Sequence, residues 1–91
     1  MNNKQRKRLT EQQSKIETAH DLLESAREII EEIFGEEQDK FDNLPEGLQE
    51  SELGQKLQEI AEILEDVASD LDDVSSQVSE IVDKIDEVIN I

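Results

Sequence analysis

The sequence predicts an all-α fold: a long antiparallel helical hairpin, coiled-coil-like, that self-associates into a helical bundle. Three observations point there. Apolar residues recur in alternating steps of four and three across the second half of the chain, and a weaker copy of that spacing runs through the first half. Between them lies one short stretch, FDNLPEGLQES, which holds the only Pro and one of the three Gly. The 91 residues are enough for a single domain, 1–91, with helix one over about 4–41, a turn over 42–51 and helix two over about 52–90.

Helix one rests on Leu9, Ile16, Ala19, Leu23, Ala26, Ile30 and Ile33, with Gln12 taking one inward position and Leu22 and Ile29 flanking the stripe. Gly35 is a possible C-cap. Phe34 and Phe41 lie seven apart, however, and share a face if the helix continues, so continuation is expected. In the turn, Asn43 precedes Glu46 by three, an arrangement like a capping box, with Pro45 in the first turn. This predicts one turn of helix, followed by Ser51 as N-cap of helix two.

Helix two carries a heptad repeat. Its a positions are Leu57, Leu64, Leu71, Val78 and Ile85; its d positions are Leu53, Ile60, Val67, Val74, Ile81 and Val88. At e stand Ala61, Ala68, Ser75, Val82 and Ile89, which widen the stripe and permit close approach of another helix. The strong seam of helix one is only about two-thirds as long, so pairing outward from the turn places Leu9 opposite about Leu71 to Val78. Val78, Ile81, Val82, Ile85, Val88 and Ile89 are then left with little cover. A bare stripe of that kind implies self-association, as a homodimer or a higher homo-oligomer.

The formal net charge is −16, from 25 acids and 9 bases, and four of the bases are Lys4, Arg6, Lys7 and Arg8. Such a chain repels DNA, RNA and anionic membrane, all polyanions. No apolar run is long enough to span a bilayer. No apolar segment follows the basic N-terminal tract as a secretory signal requires, so a cytoplasmic location is expected. The tract lies where it can balance Asp83, Asp86 and Glu87.

Chemistry-bearing patterns are sparse. The chain has no Cys and one His, His20, and no Gly-rich nucleophile elbow or phosphate-binding loop. The acids around Asp39–Asn43 and Asp70–Asp73 lack calcium-loop spacing, and no Glu-x-x-His motif exists for a di-metal bundle. No enzymatic activity, metal or cofactor is expected. The outward positions of helix two are another matter. Glu59, Glu62, Glu65, Asp66, Asp72, Asp73 and Glu80 form a negative face with few Lys to balance it. Seven-residue regularity follows from the repeat itself; the one-sided sign does not.

The tract EEQDKFDNLPEGLQESELGQ, residues 36–55, resembles a segment of small acidic proteins of bacteriophages and prophages, which share a helical arm, an FDNLPE-type turn and a long acidic heptad helix. Phe41, Asp42, Asn43, Leu44, Pro45 and Glu46 carry the likeness, over about the central third of the chain. The resemblance implies a phage setting in a bacterial host cell rather than an activity. The expected function is non-enzymatic: the acidic face, helped by the Phe41–Glu46 corner, binds a basic nucleic-acid-handling host protein and inhibits or modulates it, as a DNA mimic does. The alternatives are a structural oligomerisation module and a sponge for small signalling nucleotides.

Overall fold

The computed structural model describes residues 1–91. It contains helix α1 (Asn3–Asp42), the single turn α2 (Glu46–Gln49) and helix α3 (Glu52–Ile89), and no strand. α1 folds back along α3 as an antiparallel hairpin whose Cα extents are 69 × 14 × 14 Å.

α1 begins at Asn3, one residue before the expected start, because Asn2 and Gln5 form a capping box. The Asn2 carboxamide oxygen accepts from the Gln5 backbone N–H at 2.8 Å, and the Gln5 side chain accepts from the Asn2 N–H at 3.2 Å. α1 runs through Gly35 without a break and ends at Asn43, whose N–H donates to the Asp39 carbonyl at 2.9 Å. Asn43 is therefore the C-cap of α1, not the N-cap expected of it. Pro45 (ψ 144°) is extended and stands before α2 rather than inside its first turn. A proline also disfavours helical geometry in the residue before it, so α1 has to stop short of Leu44.

The second half of the corner is set by Ser51 and Gly54. The Ser51 hydroxyl oxygen accepts from the Gly54 N–H at 3.3 Å and donates to the Leu48 carbonyl. Gln49 closes the corner by donating from its side chain to the Phe41 carbonyl at 3.4 Å. Gly54 is buried here. A Cβ at that position would lie 2.1 Å from the Gln49 carbonyl oxygen and 2.6 Å from that of Leu48. Only a residue without a side chain lets α3 start this close to α2.

Close approach then continues along α3. Only 4 of 91 residues are buried, Gly54, Ala61, Ala68 and Ser75, and they are the small residues at successive e positions. Against them lies a row of large α1 residues at the same spacing: Phe41, Phe34, Arg27, His20 and Gln13. The Gln13 side chain reaches the Val82 carbonyl at 3.3 Å, and Arg27 and Phe34 share a cleft with Ala68. The a row of α3 is half-buried against Leu9, Ile16, Leu23 and Ile30 of α1.

Three expectations are corrected by this register. Leu9 sits beside Ile81, Ile85 and Val88, not opposite Leu71 to Val78, because uninterrupted α1 is as long as α3. Accordingly Val78, Val82, Ile85 and Ile89 are half-covered, and the Arg6 guanidinium reaches the Ile91 carbonyl at 3.2 Å. The C-terminal stripe is not bare; of its six residues, only Ile81 and Val88 are exposed. The d row, placed by the heptad reading within the seam, is the row left outside along all of α3. With small residues at e, α1 rolls toward that side and away from d.

The two helical glycines therefore have opposite consequences. Gly35→Ala meets open space and should raise stability by about 0.5–1 kcal/mol through helix propensity. Gly54→Ala drives its methyl into corner backbone and should cost about 1–3 kcal/mol. Urea unfolding followed by circular dichroism of the two variants measures both.

Candidate interaction surfaces

The roll of α1 against α3 divides the rod into two unlike sides. On the side beyond the a row, the exposed d residues Leu53, Ile60, Val67, Val74, Ile81 and Val88 run beside Ile63. Across the seam the same side carries Ala19, Ala26, Leu22, Ile29 and Ile33 of α1, all exposed. Leu9 sets the sidedness, since it lines one shallow groove with Ile81, Ile85 and Val88. This side is apolar along the d row of α3 and from Ala19 to Ile33 of α1, with Leu22 67% exposed and Ile63 54%, and Lys84 borders it toward the open end. Isolated surface apolar residues are ordinary; a continuous row of them along two helices is not.

On the other side, the row against the small e residues is apolar near the corner, at Phe41 and Phe34, and polar beyond it, at Arg27, His20 and Gln13. Arg27 lies across α3 near Ala68, Glu65 and Asp72, and its guanidinium is gripped within α1. Nη2 is 2.6 Å from the Glu24 carboxylate and Nη1 is 2.7 Å from Glu31. The Glu24 carboxyl is held below the usual carboxylate range, first by the hydrogen bond from Arg27 and then by the Ser75 hydroxyl. Ser75 Oγ is enclosed and makes no hydrogen bond of good geometry, so its influence on Glu24 is that of a nearby dipole. The paired acids in turn push Arg27 further up, Glu24 the more strongly. Nearer the corner, Lys40 stands 2.7 Å from Glu37, which raises the lysine.

His20 lines a neighbouring cleft with Glu17, Asp21, Ser79, Val82 and Asp83, its Nδ1 3.4 Å from Asp21. No group of three or more His, Asp or Glu side chains is placed to hold a metal ion.

The acidic residues singled out from the sequence all lie on the outer surface of α3. Glu59, Glu62, Glu65, Asp66, Asp72, Asp73 and Glu80 are exposed, and none has a cation within 4 Å. The cation in α3 that does pair is Lys56, 3.7 Å from Glu52. Each heptad advances the face by about 10 Å. The basic tract does not compensate it: Arg6 bonds to the Ile91 carbonyl, and no base of the tract pairs with Asp83, Asp86 or Glu87. At the corner, Asp42, Asn43, Pro45 and Glu46 are exposed, whereas Phe41 and Leu44 are half-buried and Phe41 belongs to the row above the small residues. Within that motif, only the first four are presented outward. Leu48, absent from the sequence-derived set, joins them at the tip because α2 turns it out.

No family model matches the chain, no curated protein matches its sequence, and no solved structure matches its fold. No helix is long and apolar enough to cross a membrane.

The bridge between Arg27 and Glu24 has a pH signature. A carboxyl depressed by folding adds stability that is present above its unfolded value of 4.5 and is lost as pH falls through its lower folded value. Glu24→Gln should therefore lower the melting temperature at pH 7, with the difference from wild type closing as the pH falls below about 4.5. Comparing the two proteins cancels the general relief of self-repulsion that acid brings to a chain of charge −16.

Proposed function

We propose that the chain is a non-enzymatic interaction protein whose α3 acidic face binds a basic, nucleic-acid-handling protein and inhibits or modulates it. The observation behind this reading is the uncompensated face itself, seven exposed carboxylates along one straight helix with no cation within 4 Å. Basic grooves that neutralise phosphates attract such a rod over long range, and a rigid helix spends little conformational entropy on docking. The resemblance of the FDNLPE corner to phage proteins supports a host protein as the target and the bacterial cytoplasm as the location. Asp42, Asn43, Pro45 and Glu46 at the tip supply a second, shorter contact.

A second reading draws on a different observation. The exposed d row is an apolar strip that docks helices, and it makes the chain an oligomerisation module. The two readings are compatible, since the strip and the acidic face lie on different sides of α3. The shallow clefts at His20 and Arg27 are rimmed by Glu17, Asp21, Asp83, Glu65 and Asp72, which disfavours a sponge for anionic nucleotides.

The test is retention of a host protein from bacterial lysate by the immobilised chain, followed by competition of that protein's nucleic-acid binding. Retention at 50 mM salt is expected to fall steeply at 500 mM. It should also be lost in a variant carrying Glu65→Lys, Asp66→Lys, Asp72→Lys and Asp73→Lys. Retention that survives both would refute the acidic-face reading.

A further inference from the structure

The apolar side needs an occupant, and its pattern is that of a surface that matches itself. We infer that it is covered by a second copy of this chain lying antiparallel, related by a two-fold axis across the rod near Leu22 and Val74. The inference rests on the oligomerisation reading above and specifies its partner and geometry.

The first support is charge. The open end of the hairpin, residues 1–15 and 82–91, holds six bases against four acids; the corner end, residues 33–64, holds nine acids against two bases. Parallel copies would set like ends together. Antiparallel copies set the positive end of each beside the negative end of the other. The second support is size. The exposed d row runs from Leu53 to Val88, about 50 Å of helix, so a second copy can pack along most of the 69 Å rod.

The third support is register. An axis across the rod and within the interface lays α1 on α1 and α3 on α3, each pair antiparallel. Along the α1 rim stand Arg8, Lys15, Leu22, Ile29 and Glu36, one per heptad. With Leu22 on the axis, Arg8 meets Glu36 of the second copy, and Lys15 lies over Ile29. The level of Leu22 on α3 lies between Leu71 and Ser75, given that Gln13 levels with Val82 and Leu9 with Ile85. Val74 is the d-row residue at that level, one to two residues from the axis. Val67 then meets Ile81 of the second copy, and Ile60 meets Val88. One axis thus brings the apolar rows of both helices onto their own copies to within about two residues.

The chain contains no cysteine, so single cysteines report the geometry directly. The sites are exposed in the hairpin, and circular dichroism checks that each variant stays helical. Sedimentation equilibrium of the wild-type chain should give a dimer. Under mild oxidation Val74→Cys should cross-link to itself at least tenfold faster than Ile60→Cys or Val88→Cys alone, while a mixture of Ile60→Cys and Val88→Cys should cross-link heterotypically. A monomer at high micromolar concentration would overturn the inference together with the oligomerisation reading. A dimer in which Val88→Cys joins itself as fast as Val74→Cys would overturn the antiparallel arrangement alone.

Discussion

The packing of Gly54, Ala61, Ala68 and Ser75 against α1 is the constraint on which the rest of the hairpin depends. These are the four buried residues of the chain, they are all small, and they stand one per heptad on α3. Small residues at the contact allow two helices to approach more closely than leucine does, and close packing recovers dispersion contacts that a chain with two Phe and no Trp or Tyr cannot obtain from bulk. Long α1 side chains lie across them: Gln13 reaches an α3 carbonyl, and Arg27 spreads over Ala68 with Glu24 and Glu31 on its two nitrogens. The seam is thus partly polar, and it is narrow.

Because α1 rolls onto the e row, the d row is left without a partner inside the hairpin. One geometric choice therefore creates both surfaces. The side toward d carries the row of exposed apolar residues; the side toward b, c and f carries seven carboxylates with no cation beside them. A helical hairpin 69 Å long and 14 Å across has almost no interior, so its stability and its interactions draw on the same residues. Covering the apolar side with a second copy would complete a four-helix core and leave the acidic faces outermost, where long-range attraction to a basic partner is strongest.

Much of the fold was legible in the spacing alone. The helix pair, the short turn, continuity through Gly35 and the Ser51 cap all follow from local rules that tertiary packing did not override. The rotation of the seam was not legible, because a heptad stripe three positions wide does not say which two positions face the partner. Ala61 and Ala68 were the available signal, since alanine recurring at one position marks the side of closest approach. The length of cover over Val78–Ile89 was misjudged because Gln12 and Gln13 weaken the apolar pattern of α1, although glutamine bridges a helix seam well by hydrogen bonds. The Asn2–Gln5 cap was missed, although Asn followed three residues later by Gln is a capping-box pattern. At the corner, Asn43 was misplaced because proline geometry outweighed a side-chain cap. The acidic face was legible residue by residue; its lack of cation partners became visible only once the side chains were placed.

The role of the small e row is tested most directly by enlarging it and its neighbour in turn. Ala61→Leu with Ala68→Leu should lower the urea unfolding free energy by about 2–6 kcal/mol, the overpacking cost of two sites. Ile60→Leu with Val67→Leu, on the exposed row beside it, should change it by less than about 1 kcal/mol. Both are measured at a protein concentration low enough to keep the chain monomeric. Equal losses from the two rows would contradict the placement of the seam, and with it the assignment of the two faces.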